Sequence, residues 1–154
     1  MNNTNSDRIS IEKNKRNLFT ELKKDIEGPL KNSDIRSNDI YNLAIAFGYK
    51  NKVRMPISSK DRFIRKETFG KSLNAIIYSL AISNSKENID ILSEDYDKKY
   101  LVAEEFANGG IDFLSNSYKR DVDKFVNQLR LEISTLNKDD KILNKLKEMG
   151  IEYN

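Results

Sequence analysis

The fold is decided by residues 101–114, LVAEEFANGGIDFL, in which an apolar pattern of helical spacing runs straight through two adjacent glycines. The apolar positions of one helical face continue on both sides of the glycines, at Leu101, Phe106, Phe113 and Leu114. A glycine inside a helix costs roughly 1 kcal/mol relative to alanine, and asparagine is also a poor helix former. Because such a cost usually accompanies close backbone packing or a site, we expect a helix with a special contact over about residues 94–116.

The Asn108-Gly109-Gly110 run has three structural interpretations. Asn-Gly is typical of a tight hairpin turn, but a hairpin needs alternating flanks, and these flanks have helical period. A helix broken by a left-handed cap is the second interpretation. We favour the third, a continuous helix whose small residues admit a neighbouring backbone while the Asn108 amide fixes a neighbouring loop. Asn108, Gly109 and Gly110 would then form a structural motif.

Helical periodicity also marks residues 9–26, 37–48, 73–80, 122–136 and 142–149, with Gly48 as a left-handed cap. Residues 49–71 lack it, and Pro56 argues against a helix there, so residues 53–57 and 63–65 are expected to pair as strands. The predicted fold class is all-α, a compact multi-helix bundle with one short β-ribbon around residues 53–65. Residues 1–8 are predicted to be a disordered tail, and residues 9–154 a single helical domain.

The 154-residue chain contains neither cysteine nor histidine, which excludes several kinds of chemistry. Ser-His triads, thiol catalysis and zinc sites of the usual nitrogen and sulfur kind all lack their residues. Glu104 and Glu105 are adjacent, so on a helix they do not face each other, and we expect them to be solvated rather than to share a metal. We predict no catalytic residues, no metal, no cofactor, and hence no enzyme.

No stretch has the roughly 18 uninterrupted apolar residues of a membrane span, and the polar N-terminus does not resemble a secretory signal. We therefore expect a cytoplasmic protein without a membrane partner.

The net charge is +3, but the basic residues are concentrated in residues 50–71, the basic segment. Its eight cations face only Asp61 and Glu67, so it carries +6 and the rest of the chain carries −3. The interleaved aromatic residues Tyr49, Phe63 and Phe69 make it typical of a nucleic-acid contact surface. A solvated loop, docking on the protein's own acidic helix and an acidic protein partner are the alternatives. The predicted DNA-binding residues are Lys50, Lys52, Arg54, Lys60, Arg62, Arg65, Lys66 and Lys71.

Residues 104–114, EEFANGGIDFL, resemble a signature of the DNA phosphorothioation (Dnd) system-associated protein 4 family, an acidic-aromatic-Ala-Asn-Gly-Gly run followed by an apolar pair. Residues 43–50, LAIAFGYK, are similar to the family's alanine-rich helix, which ends in an apolar-Gly-aromatic-basic step. Arg54-Met55-Pro56 and residues 64–69 also resemble the family pattern, although the tryptophan that usually precedes the position of Phe69 is missing. The resemblance covers residues 38–116.

The resemblance implies an accessory role beside bacterial antiphage genes that modify DNA or restrict foreign DNA. We expect a non-catalytic accessory protein of such a defence system that binds the DNA backbone through the basic segment. The alternative is a protein–protein adaptor subunit of a larger defence complex without direct DNA contact, docking through residues 122–136 and 142–149. The expected partners are DNA without sequence preference, protein subunits of the same system, or both, and no small-molecule substrate.

Overall fold

A computed structural model of the chain describes residues 7–30, 34–86, 88, 90–94, 98–118 and 121–137. Within these residues the helices are α1 (Arg16–Glu27), α2 (Ser37–Lys50), α3 (Lys71–Asn84), α4 (Ile91–Glu94), α5 (Lys98–Tyr118) and α6 (Val122–Asn137). Two strands, β1 (Arg8–Glu12) and β2 (Lys60–Arg65), form one small antiparallel sheet. The predicted fold class, all-α with one short ribbon, is confirmed.

The ribbon differs from the prediction in its partner strand. Strand β2 pairs with β1, where Ile9 lies opposite Ile64, and not with residues 53–57. The helix predicted for residues 9–26 is confirmed from Arg16 onward, but its start was wrong, because residues 8–12 form β1, in which Ile9 and Ile11 are buried in the core. Helix α1 begins only at Arg16.

Helix α5 packs on α2, α3, α1 and β1, so the other elements are arranged around it. It is continuous through the two glycines, as its periodicity predicts. Spacings of three and four residues place its buried apolar positions along one side. These positions include Ala103, Ala107, Ile111 and Leu114.

Gly48 does not cap α2, and that prediction was wrong. The helix continues to Lys50, and Gly48 is buried against α5, where a Cβ would overlap the backbone of Phe106. Gly110 on α5 is equally confined, since a Cβ there would overlap the carbonyl group of Ala44. The glycines therefore allow the two helix backbones to touch at their crossing.

Helix α6 confirms the helix predicted for residues 122–136. The helix predicted for residues 142–149 and residues 1–6 of the predicted tail lie outside the described residues. Arg8, which the prediction also assigned to the tail, belongs to β1. Among the described residues, no helix combines the length and the apolar character needed to cross a bilayer.

Candidate functional site

The basic segment runs along α5 in the opposite direction to the helix. Near its start, Val53 packs on Gly109, where a Cβ would lie 2.8 Å from a Val53 methyl carbon. Further along, the Lys66 ammonium lies 3.9 Å from the ring centre of Tyr100. These contacts reach from residue 109 back to residue 100, which is about 14 Å of helix. The helix therefore fixes the path of the basic segment.

Asn108 holds the middle of the basic segment on α5 through two hydrogen bonds. Its side-chain nitrogen donates to the carbonyl oxygens of Met55 at 3.1 Å and Pro56 at 3.0 Å. Both carbonyls belong to a stretch without regular secondary structure, so the amide supplies partners that a strand or helix would otherwise provide. The Asn-Gly-Gly motif thus shapes the basic segment as well as the helix crossing.

Glu104 is a buried carboxylate, and the prediction that it is solvated was wrong. Only 5% of its surface is exposed. One oxygen accepts the backbone N–H of Ser10 at 2.8 Å, and the other accepts the ammonium of Lys60 at 3.1 Å. Because a buried charge is costly unless it is paired and hydrogen-bonded, these two partners make the position tolerable. Glu104 therefore joins both strands to α5.

Tyr41 completes this buried polar group. Its hydroxyl donates to the carbonyl oxygen of Ser10 at 3.2 Å. Burial raises the pKa of Tyr41 well above its usual value, and the negative charge of Glu104 raises it further. The phenol therefore remains protonated and keeps its hydrogen bond to β1.

Arg54 is held on three sides by the molecule itself. Its guanidinium forms an ion pair with Glu105 and donates to the side-chain oxygen of Asn84 at 2.6 Å. It also lies 6.0 Å from the ring centre of Phe106. Arg54 therefore joins the basic segment to α5 and to the end of α3.

Asp61, an acidic residue of the basic segment, forms an ion pair with Arg16, which lies outside the segment. Arg16 donates to its two carboxylate oxygens at 2.5 and 2.8 Å. This bidentate hydrogen bond lowers the pKa of Asp61 and raises the pKa of Arg16. The Asp61 charge is thus matched by Arg16, and it does not cancel one of the eight predicted DNA-binding cations.

The eight predicted DNA-binding cations fall into three groups by their contacts. Arg54 and Lys60 are bound by the glutamates of α5. Three others contact an aromatic ring or a neighbouring carboxylate, namely Lys50, Arg65 and Lys66. The last three are exposed and have no side-chain partner among the described residues, namely Lys52, Arg62 and Lys71.

The surface around the basic segment remains positive after its internal ion pairs are counted. Together with Arg16 it brings nine cations to the surface. The carboxylates within the segment or bound to it are Asp61, Glu67, Glu104, Glu105 and Glu12, which accepts the backbone N–H groups of Ser58 and Ser59. Nine cations against five carboxylates leave four positive charges in excess. An excess of this sign attracts polyanions.

The described part of the chain offers no obvious metal centre, since its carboxylates nowhere gather in groups of three or more that could hold an ion. The acidic residues nearest the motif are engaged by cations. Lys15, for example, donates to Asp112 at 2.6 Å and to the carbonyl oxygen of Asn108 at 2.9 Å.

A groove between α2 and α3 was not identified from the sequence. It is open to solvent, has a volume of about 570 Å³, and is lined largely by Ile45, Ala46, Tyr49, Ala75, Ile76 and Leu80. A signal was present in the sequence, because residues 40–49 and 72–85 contain no charged residue in a chain that is 33% charged.

The apolar face of α6, which was predicted to dock a partner, packs partly into the protein's own core, where Phe125 and Val126 are buried.

A family model described as DNA sulphur modification system-associated protein 4 matches residues 8–149. The match includes β1, α1 and α6, so the similarity extends well beyond residues 38–116, the range of the sequence resemblance. The comparisons with curated proteins and with solved structures give no match. Since the family model covers most of the chain, including the Asn-Gly-Gly motif and the whole basic segment, the protein belongs to the DNA sulphur modification system-associated protein 4 family.

Proposed function

We propose that the protein is a non-catalytic, cytoplasmic accessory component of a DNA sulphur modification system and contacts the DNA backbone through its basic segment. The family supports the association with such a system. The observation that carries the DNA contact is the exposure of Lys52, Arg62 and Lys71 without partners among the described residues. They belong to a segment that keeps four positive charges in excess after its bound carboxylates are counted.

The two kinds of cation in the basic segment have different tasks in this proposal. Arg54 and Lys60 are bound to Glu105 and Glu104, so they hold the segment on α5. Lys52, Arg62 and Lys71 are available for phosphate oxygens. A segment that is already fixed loses little conformational entropy when it binds, which favours association.

Contacts of this kind position a protein on DNA without reading its sequence, because phosphates are identical at every step. Each phosphate that a lysine or arginine neutralises contributes about −0.9 to the slope of log K against log salt concentration. Three such contacts predict a slope of roughly −3, and participation of the neighbouring cations would make it steeper.

The test compares two triple variants of equal charge change. The first is Lys52→Gln, Arg62→Gln and Lys71→Gln, which leaves the ion pairs to α5 intact. The matched control replaces two lysines and one arginine on exposed positions of α1 and α6, namely Lys24→Gln, Lys124→Gln and Arg130→Gln. Duplex binding is measured by fluorescence anisotropy between about 20 and 200 mM salt, on unmodified DNA and on DNA that carries phosphorothioate linkages.

We expect the first variant to lose at least tenfold in affinity and to show a shallower salt slope, whereas the control keeps most of its affinity. Equal losses of affinity in both variants would show that duplex binding depends on the net charge of the protein and not on these three positions. An absence of salt-sensitive binding by the wild type at low ionic strength would contradict the DNA contact altogether.

The non-catalytic part of the proposal needs its own assay. Wild-type protein is incubated with duplex DNA and magnesium or manganese, and the DNA is examined for strand cleavage and for changes in sulphur content. We expect no turnover. Turnover that disappears when a single carboxylate is replaced would show that the protein is an enzyme.

A second candidate function is that of a protein–protein adaptor without direct DNA contact. The observation that favours it is the uncharged groove between α2 and α3, since charged residues are depleted at the centres of protein interfaces. Co-purification with another subunit of the same system after nuclease treatment, together with failure of the duplex-binding assay, would select this function over the first.

A further inference from the structure

We infer that the groove between α2 and α3 binds an amphipathic helix of another subunit of the same system, one that carries acidic residues next to its apolar face. This inference rests on the accessory role proposed above, and it adds a separate surface and a partner of defined chemistry.

The two helices that form the groove run in the same direction. At one end, Asn38 of α2 donates to the carbonyl oxygen of Thr68, just before α3, at 2.8 Å. At the other end, Arg54 follows α2 and donates to Asn84, the last residue of α3, at 2.6 Å. Two helices that run in the same direction over α5, without packing closely on each other, leave an elongated furrow between them that a third helix can fill.

The furrow has an apolar floor and a rim of small side chains. The half-buried Ile76 and Leu80 provide apolar surface beside the buried Ile45. The rim includes the exposed residues Ala75 and Ser79, which are one helical turn apart. Small rim residues allow the backbone of a docked helix to approach closely. A volume of about 570 Å³ offers room for several side chains of that helix.

Tyr49 provides an exposed aromatic group at the edge of the furrow. Its side chain is 60% exposed, and its ring packs edge-on against Phe106 with 5.5 Å between ring centres. An aromatic side chain that is already positioned in the unbound protein can be buried by a partner at a small entropic cost. Tyrosine is also enriched among the residues that dominate protein interfaces.

The charges around the furrow indicate which side chains a docked helix should carry. Along its length, residues 40–49 and 72–85 are uncharged, so the occupant must be apolar there. Where both helices end, the chain places Lys50, Lys52 and Lys86, while the nearby Arg54 is already bound to Glu105. A helix with glutamates or aspartates beside this end would be attracted, and a helix with lysines there would be repelled. Charge complementarity therefore favours an acidic amphipathic helix.

The test uses the other protein subunits of the DNA sulphur modification system from the same host, each co-expressed with this protein and purified after nuclease treatment. Binding is then measured by calorimetry for Ser79→Arg, which places a charge on the rim. The matched control is Thr20→Arg on α1, because Ser79 and Thr20 are both exposed helical hydroxyls that donate to the carbonyl four residues earlier.

We expect one subunit to bind the wild type and the Thr20→Arg variant alike, and Ser79→Arg to lose at least tenfold in affinity. Ala46→Arg, on the α2 side of the furrow, should reproduce this loss, and a circular-dichroism melt verifies that each variant folds. Lys52→Glu combined with Lys86→Glu should weaken binding mainly at low salt. Cross-linking should then place an acidic amphipathic helix in the furrow.

Two results would overturn the inference. One is that no subunit binds, or that binding ignores Ser79→Arg and Ala46→Arg. The other is concentration-dependent dimerisation of the wild type that Ser79→Arg abolishes, since a second copy would then occupy the furrow. Duplex DNA binding should be unaffected by Ser79→Arg, so failure here is distinguishable from failure of the DNA-binding proposal.

Discussion

Gly48 and Gly110 face each other where α2 crosses α5, so closely that a Cβ on Gly110 would lie 2.7 Å from the backbone nitrogen of Gly48. The contact involves main-chain atoms on both sides, which cannot move away as a flexible side chain could. The position of α2 on α5 is therefore set by the absence of two side chains. The crossing also places the end of α2, and with it the start of the basic segment, beside residue 109.

Gly110→Ala should destabilise the protein by about 3 kcal/mol, because overpacking against backbone can be relieved only by separating the helices. Urea unfolding followed by circular dichroism measures the change. Gly28→Ala is the control, since a Cβ at that position meets only a carbonyl oxygen at an ordinary distance of 3.7 Å. A Gly110→Ala variant as stable as Gly28→Ala would disprove the close crossing.

Gly109→Leu should act more locally, on the basic segment rather than on the helix crossing. The new side chain would displace Val53, and with it the Met55 amide, which donates to the Glu105 carbonyl oxygen at 3.0 Å. Hydrogen exchange should therefore accelerate at Met55, with a loss of stability of a few kcal/mol. Unchanged exchange at that amide would show that the segment tolerates a side chain at residue 109.

Asn108→Ala should cost about 1–3 kcal/mol, because the carbonyls of Met55 and Pro56 lose their donor. Asn108→Asp should cost more, since it places a negative carboxylate against the same two oxygens. Both losses can be measured by thermal or urea unfolding at neutral pH. If the aspartate variant is the more stable of the two, the amide nitrogen is not the group that faces these carbonyls.

Lys60→Met should destabilise more than Glu104→Gln, although both break the same ion pair. Lys60→Met leaves a buried carboxylate without a cation, at a cost of about 1–3 kcal/mol, whereas glutamine can still accept the Ser10 N–H and the lysine can reach solvent. The double variant should recover part of the loss of Lys60→Met. A double-mutant cycle measures this coupling, and strict additivity would argue against the pair.

The pair of Arg16 and Asp61 predicts an acid-side dependence of stability. Because the hydrogen bond from Arg16 lowers the pKa of Asp61 in the folded protein, the carboxylate contributes stability above its unfolded pKa. That contribution disappears as the pH falls through the lowered pKa. The stability difference between wild type and Asp61→Asn should therefore be present at pH 7 and shrink below about pH 4. A difference that is constant from pH 7 to pH 3 would contradict this.

Five of the six helices in the described residues could be predicted, because each has a local periodic pattern, whereas α4 has only four residues and is too short to show one. The continuity of α5 was predicted correctly, but not by the right residues. Leu101 and Phe113 are offset by about 120° around the helix and are 38% and 37% exposed, whereas the buried positions that stay in phase across the glycines are Ala103, Ala107, Ile111 and Leu114. Strand β1 could not, because Ile9 and Ile11 precede another apolar pattern and merge with it. Their strand partner lies around Ile64, more than fifty residues away, and pairing at that distance has no local signature.

The roles of single residues were hidden for the same reason. The sequence around Gly48 resembles a helix end, and only the backbones of Phe106 and Gly110 on α5 explain why a glycine stands inside the helix. Glu104 looks like any helical surface carboxylate until Ser10 and Lys60 are placed beside it. The basic segment was visible as composition, but its division into anchoring and exposed cations depends on tertiary contacts.

The bond between Ser10 and Glu104 joins residues 94 positions apart. During synthesis, β1 leaves the ribosome long before α5 has been made, so Ile9 and Ile11 remain exposed apolar residues in the nascent chain. Strand β2 is made before α5, but a two-stranded ribbon alone is only marginally stable, and the Glu104 carboxylate can reach Ser10 only after translation has passed α5. Strand β1 therefore remains accessible to chaperones and proteases until α5 has been made.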